Sequence, residues 1–317
     1  MPISKAIIIG GGIAGVAAAI ALTKYNNINV QIIELRDSPA TIGGAINLTP
    51  VAMRYLAHLG VADKLIPLSC EVPSIEIYAM RTAKFLGEIN YDNVEKFKFR
   101  GRRVLRSTLL KALLNTLSEL GVEVEYGRRA ESIAVDSERV EVTFVDGGKA
   151  HGDILIGADG IHSFTRSTVV EPDRKPVYTG IAGAYGLIDA SLLSKHLPSA
   201  TSMFSGRKGS LLMSYYDEAK TKIYAAGVME TAEAESREGW KVKNGAKDAL
   251  KADMIDRFGQ GAEPIISEIL EKTQEWFLFP VFKLQPRGKW FNERCLLIGD
   301  AAHAVSQHCT VMIYTRG

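Results

Sequence analysis

The 317-residue sequence is poor in cysteine, and its three, Cys70, Cys295 and Cys309, show no CxxC spacing. An odd number without paired spacing excludes a disulfide framework and a zinc ribbon, and it fits a reducing, cytoplasmic setting. The six histidines are scattered, and the nearest pair, His303 and His308, is five apart. That spacing does not put two ligands on one helical face, so no metal site is expected. An excess of charge is missing too, because 38 Lys and Arg face 36 Asp and Glu for a net charge of +2. Nothing there calls for nucleic acid or an anionic surface as partner. The basic run from Arg100 to Arg106 has no aromatic ladder and reads as a solvated patch or a phosphate contact. Long apolar runs are absent as well. The uncharged stretch from Ala6 to Leu22 falls short of the ~20 residues of a membrane span, and Gly10-Gly11-Gly12 would break a signal helix. There is no internal repeat and no low-complexity tract.

What is present is the balance of a globular protein, 46% hydrophobic and 23% charged residues, over a length that suits about two domains. Ala6–Ile9 is a short all-apolar run, the pattern of a strand buried on both faces of a parallel sheet. Glycines follow it, then an alanine-rich helix from Gly15 to about Lys24, an Asn26-Asn27 turn and a second strand, Ile28–Leu35. Such a βαβ unit belongs in a doubly wound sheet. Val51–Leu59 reads as a helix stopped by Gly60. Ser107 is the predicted N-cap of a helix that reaches Leu120. Short strands are predicted at Val122–Tyr126, Ser132–Val135, Val140–Phe144 and Asp153–Ile156, the last after a turn at Asp146-Gly147-Gly148.

From about Pro172 to Phe277 the texture changes to strand-like stretches at Ile181–Ile188, Ser210–Tyr216 and Ile223–Val228. The last two form a hairpin around Asp217. Helices near Ala246–Phe258 and Glu263–Lys272 follow, with Gly259-Gln260-Gly261 as their linker. The apolar strand Cys295–Ile298 then returns to the style of the first domain. The expected fold is α/β, a doubly wound Rossmann-like cofactor domain with an inserted antiparallel-sheet substrate domain. The boundaries fall at 1–75, 100–170 and 278–317 for the first, and at 76–99 and 171–277 for the second.

Gly10-Gly11-Gly12-Ile13-Ala14-Gly15 fits GxGxxG directly after a strand and at a helix start. Gly10 permits the tight turn, Gly12 lets the backbone approach a pyrophosphate, and Gly15 allows close helix–strand packing. The helix start adds N–H groups and the positive end of its dipole. Glu34, at the end of the second strand, is placed to accept from ribose hydroxyls. A carboxylate there disfavours a 2′-phosphate, so FAD or NAD fits better than NADP.

The segment Gly157-Ala158-Asp159-Gly160-Ile161-His162-Ser163-Phe164-Thr165-Arg166 and the later Leu297-Ile298-Gly299-Asp300-Ala301-Ala302-His303 complete a series. Together with the glycine loop they resemble, in order, three signatures of the FAD-dependent monooxygenases of the aromatic hydroxylase type. That group includes salicylate hydroxylases and zeaxanthin-epoxidase-like proteins, and the resemblance spans about residues 4–308. It implies that Asp159 and Gly160 contribute to FAD and pyridine nucleotide binding, that Asp300 meets the ribityl chain of FAD, and that Gly299 belongs to the cofactor site. It also implies that Arg106 lies near the flavin and that Gly43–Pro50, Gly44 included, is a flavin-side loop.

Blander readings stand beside these. Asp159-Gly160 suits a β-turn, Arg166 a surface charge and Asp300 a helix N-cap. His303 suits a packed helix face, and Tyr215, Tyr216 and Tyr224 on the middle sheet suit core more than pocket lining.

The implied activity uses FAD, with NAD(P)H as transient reductant and O₂, to hydroxylate or epoxidise a small aromatic or polycyclic substrate. A single GxGxxG fits a reductant that visits without a domain of its own. The motifs demand no side-chain acid or base, and no catalytic residue is named. The sequence sets no oligomeric state.

One departure stands out. The family pattern runs on into a proline, a Gly-x-Gly loop and a long helix. Here Gln307 stands at the proline position, and Cys309–Gly317 has no glycine until its last residue. The expectation is a C-terminally truncated member. The alternatives are a flavin-fold protein without activity and an FAD oxidoreductase that inserts no oxygen.

Overall fold

The computed structural model describes residues 3–41, 43–90 and 94–304. The expectations for Gln307, His308 and Cys309 lie outside these residues. The chain forms two compact units, one of Met1–Thr41, Leu109–Thr179 and Phe282–Gly317, the other of Ile42–Thr108 and Gly180–Val281.

The first unit is built on a six-stranded sheet in the order Phe291–Asn292, Cys295–Leu297, Ile154–Gly157, Lys5–Ile9, Asn29–Ile33 and Val124–Glu125. Every pair is parallel except the first, which is a short antiparallel ribbon. Strands from the start, middle and end of the sequence therefore lie side by side, with Ile8 between Ile156 and Ile32. The all-apolar run behaves as a parallel strand must, because both of its faces are covered and Ile7 and Ile8 are fully buried. The predicted βαβ unit is present as Lys5–Ile9, a helix over Ile13–Asn26 and Asn29–Ile33. Asn27, with φ of 52°, ends the helix in the left-handed conformation. An antiparallel sheet of Ala130–Val135, Val140–Phe144 and Lys149–Gly152 contributes Val140, Val142 and Phe144 to one core with Ile7, Leu155 and Leu297.

The second unit carries a seven-stranded sheet in the order Phe277–Lys283, Val177–Asp189, Lys222–Glu230, Gly209–Tyr215, Thr201–Gly206, Ser74–Ala79 and Phe85–Asn90. The hairpin expected around Asp217 joins Gly209–Tyr215 to Lys222–Glu230. One pair departs from the antiparallel expectation, since Thr201–Gly206 runs parallel to Ser74–Ala79. Helices Lys247–Phe258 and Pro264–Lys272 supply Met254, Phe258, Ile265 and Ile269 to a core shared with Phe204 and Trp276.

Three local expectations change. The helix predicted from a Ser107 cap begins at Arg106, so Ser107 lies inside its first turn. Residues 43–75 and 100–108, within the span expected with the cofactor domain, pack in the second unit. The cause is a long-range pairing of Ala45–Leu48 and Cys70–Glu71 with Arg102–Leu105. The same sheet takes the middle of the Arg100–Arg106 run out of solvent and leaves Arg100 exposed. Arg103 is buried, and Arg102 donates to the carbonyls of Ile66 and Ser69 at 3.1 Å each.

Among the described residues no helix is long and apolar enough to cross a membrane. Phe204, fully buried and stacked on Tyr78 at 5.2 Å, centres the second core. Phe204→Ala is expected to cost about 3–5 kcal/mol, read as a lowered urea midpoint. A loss below about 1 kcal/mol would contradict this packing.

Candidate cofactor site

The glycine loop has a separate steric reason at each position. Gly10 has φ of +115°, and a Cβ there would sit 2.3 Å from the Ala158 carbonyl oxygen. A Cβ on Gly15 would sit 1.9 Å from the Gly10 carbonyl oxygen. Both positions are closed to any side chain by backbone, which cannot move aside. Gly12 is the opposite case, because a Cβ there meets nothing within 4 Å. It caps the helix without a side-chain hydrogen bond, and no acidic residue occupies the first turn. The N–H groups at this helix start are left for a ligand.

Glu34 stands at the end of the second strand, as expected. Its Oε2 accepts from the Gly11 amide at 2.8 Å and its Oε1 from the Arg36 amide at 3.0 Å. The carboxylate therefore has a structural task that the sequence did not reveal, since it ties the loop to the strand. Each oxygen keeps further lone-pair capacity for a ribose hydroxyl.

In the second signature, Asp159 folds its own loop. Its carboxylate accepts from Ser163 Oγ at 2.5 Å, from the Thr165 amide at 2.9 Å and from Thr165 Oγ1 at 3.2 Å. Gly160, with φ of +76°, has nothing within 4 Å of a Cβ. Arg166 is not a surface charge. It is 2% exposed and donates to the carbonyls of Ile161 at 2.5 Å, Ala301 at 2.9 Å and Arg174 at 3.2 Å. Burial pulls its guanidinium down from the usual arginine range, and Asp159 opposes that pull.

The third signature leaves the strand Cys295–Leu297 and turns at Gly299, where φ is 58°. A Cβ on Gly299 would lie 2.9 Å from the Ala14 Cβ, so this turn packs against the first helix. Asp300 opens a single helical turn, Asp300–His303, as an exposed residue after a Gly299 cap. Ala301 and Ala302 anchor the turn in the core. His303 lies on the exposed face of the turn and stacks on Trp290 at 4.9 Å. The first unit thus gathers Gly10, Gly12, Gly15, Glu34, Asp159, Gly160, Gly299 and Asp300 around the ends of four adjacent parallel strands and the helix start. An unfilled space over Gly12, an uncapped helix and an exposed carboxylate beside them fit a dinucleotide.

Gly44 and Arg106 belong to the second unit. The Arg106 amide donates to the Gly44 carbonyl at 2.9 Å. A Cβ on Gly44 would meet Tyr224 Cε2 at 2.4 Å and Tyr185 Cδ2 at 2.7 Å. Two aromatic rings therefore explain the glycine, and one of them, Tyr185, carries no motif. Tyr185 also stacks on Phe277 at 5.3 Å. Burial pushes the Tyr224 phenol up to about 12, against the pull of Arg103 and Arg106. Tyr215 is core, its hydroxyl accepting from the Leu197 amide at 3.0 Å, and Tyr216 is half-buried. Among the described residues no group of three His, Cys, Asp or Glu could hold a metal ion.

Comparison with known proteins gives this arrangement its family. Residues 4–308 match the family described as FAD binding domain. Salicylate hydroxylase of Pseudomonas putida is 27% identical over 95% of this chain and 72% of its own length. FAD-dependent urate hydroxylase of Klebsiella pneumoniae is 27% identical over 95% of this chain and 76% of its own length. The structure of Klebsiella pneumoniae HpxO complexed with FAD and uric acid superposes with a TM-score of 0.80 at 25% identity, over 96% of this chain and 75% of that one. The chain belongs to the FAD binding domain family, among the FAD-dependent monooxygenases of the aromatic hydroxylase type.

Proposed function

We propose that this enzyme hydroxylates or epoxidises a small aromatic or polycyclic substrate with NAD(P)H and O₂. The observation that carries the reading is the open face of Gly12 at an uncapped helix start, with Glu34 held on one side and the Asp300 turn on the other. Bound FAD supplies the redox chemistry, taking electrons from NAD(P)H and using them with O₂ so that one oxygen enters the substrate and the other leaves as water. The residues of the chain bind, orient and shield. The Gly12 backbone and the N–H groups after it would receive the pyrophosphate. Glu34 would accept from the adenosine ribose, and Asp300 from the ribityl hydroxyls. Asp159 would act indirectly by folding the loop that presents Gly160. Gly44 and Arg106 are proposed as flavin-side residues on the resemblance alone.

The aromatic cluster of Tyr185, Tyr224, Phe277 and Phe279 supports an aromatic substrate, because ring faces and edges recognise other rings. With its phenol at about 12, Tyr224 keeps its proton throughout the physiological range, so it offers a neutral hydroxyl and not a base. Two buried free thiols, Cys70 and Cys295, support a cytoplasmic setting.

The cradle makes a paired prediction. Gly12→Ala should leave the apoprotein as stable as wild type and weaken FAD binding about tenfold or more, read by flavin fluorescence titration. Gly15→Ala should instead lower apoprotein stability by about 1–3 kcal/mol, read by urea denaturation. The reverse pattern would contradict the assignment of the open face. For the reaction, NAD(P)H should bleach the flavin spectrum under nitrogen, and admission of O₂ with a suitable aromatic should give one hydroxylated product per NAD(P)H. Hydrogen peroxide without a hydroxylated product, across a panel of aromatics, would show an oxidoreductase that inserts no oxygen.

A further inference from the structure

One buried cation of the first unit, Arg174, lies outside the three signatures yet reaches the third. Its side chain is 8% exposed, close to the carboxylate of Glu171 at 3.5 Å. Its Nη1 donates to the Ala302 carbonyl at 3.0 Å, its Nε donates to the Gln285 carbonyl at 3.0 Å, and its Nη2 also donates to Gln285. Glu171 in turn accepts from the Lys289 amide at 3.0 Å. Beside it, Arg166 donates to the Ala301 carbonyl at 2.9 Å and to the carbonyl of Arg174 itself at 3.2 Å. Two guanidiniums therefore hold consecutive carbonyls, Ala301 and Ala302, in the same single-turn helix that begins at Asp300.

A helix of one turn has no stability of its own, so its direction is set by what holds its ends. Positive charge at the carbonyl end is favourable, and a planar fork fixes orientation as well as distance. A second observation points the same way. A Cβ on Gly288 would lie 1.8 Å from Arg174 Nη1 and 2.0 Å from its Cζ. Gly288 is not among the positive-φ glycines, so its backbone conformation does not require glycine. The passage of the Arg174 guanidinium across it does.

We propose that Arg174, seated over Gly288, is a positioning residue for FAD, fixing the Gly299–His303 turn so that Asp300 faces the ribityl chain. The proposal rests on the reading of that turn as a flavin contact. Arg174 does not touch the cofactor; it acts through the Ala302 and Gln285 carbonyls.

The test uses the full 317-residue chain, stripped of flavin and titrated with FAD by fluorescence, with apoprotein melting measured in parallel. Arg174→Ala is expected to raise the FAD Kd about 10- to 100-fold, the loss of charge-assisted hydrogen bonds. Arg174→Lys should recover part of that loss, because it restores the charge without the fork. Gly288→Ala should reproduce the effect with Arg174 still in the chain. Arg294→Ala is the control, since Arg294 also donates to carbonyls, those of Ser137 and Asp153, away from the turn. It should melt like the other variants and bind FAD like wild type.

An FAD Kd within about twofold of wild type in both Arg174→Ala and Gly288→Ala would overturn the proposal. So would an equal loss of affinity in Arg294→Ala, which marks a general destabilisation. If Arg174→Ala fails to fold, Arg174→Lys and Gly288→Ala carry the same comparison against the same control. A wild-type chain that takes up no FAD overturns both this proposal and the flavin reading beneath it. Unchanged variants of a wild type that binds overturn this proposal alone.

Discussion

Backbone meeting backbone at Gly10 and Gly15 is the contact on which the first unit depends. The helix over Ile13–Asn26 can lie against the sheet only because Gly15 has no Cβ to strike the Gly10 carbonyl. The strand Lys5–Ile9 can turn toward that helix only because Gly10 takes a positive φ against the Ala158 carbonyl. Once the helix is seated, its start stands clear at Gly12, and its first turn offers Ala14 as the floor for Gly299. The Gly11 amide is then aimed at Glu34. A site assembled from residues far apart in sequence thus follows from one close approach, because the four parallel strands carrying it are neighbours in a single sheet.

Much of this was legible in the residues. The all-apolar run before the glycines named a doubly covered parallel strand, and the glycine spacing named the turn. The return of apolar texture at Cys295 placed Cys295–Leu297 back in the first sheet. What stayed hidden was long-range. Nothing local says that Thr201–Gly206 pairs parallel with Ser74–Ala79, or that Ala45–Leu48 pairs with Arg102–Leu105. That second pairing moved residues 43–75 into the second unit and turned the middle of a basic run into a sheet element with Arg103 buried. Side-chain roles were the hardest to read. Asp159 looks like a ligand residue and folds its own loop, and Arg166 looks like a surface charge and is buried on carbonyls. Arg174 carried no motif, and only its fork and the bare α-carbon of Gly288 mark it out.

The two units divide the labour in a way that suits cofactor-based oxidation. The first offers open backbone, a helix start and two carboxylates, the means to hold an anionic dinucleotide. The second offers a rigid aromatic cluster with a tyrosine that stays protonated. Neither calls for a side-chain nucleophile or a metal, because the demanding electron transfer belongs to the flavin. Precision in such an enzyme comes from groups that touch no reactant. Here those are the Glu34 tie to Gly11, the Asp159 loop and the paired guanidiniums on the Asp300 turn. Each removes freedom from a backbone segment before any ligand arrives, which lowers the ordering cost of binding.

The central claim is that the first unit is shaped for the adenosine diphosphate half of the cofactor as well as for its flavin half. The most direct measurement is a side-by-side titration of the flavin-free protein with FAD and with FMN, which lacks the adenosine portion. FAD is expected to bind at least about tenfold more tightly than FMN, with a smaller preference in Gly12→Ala. Equal affinity for the two flavins in the wild-type protein would contradict it.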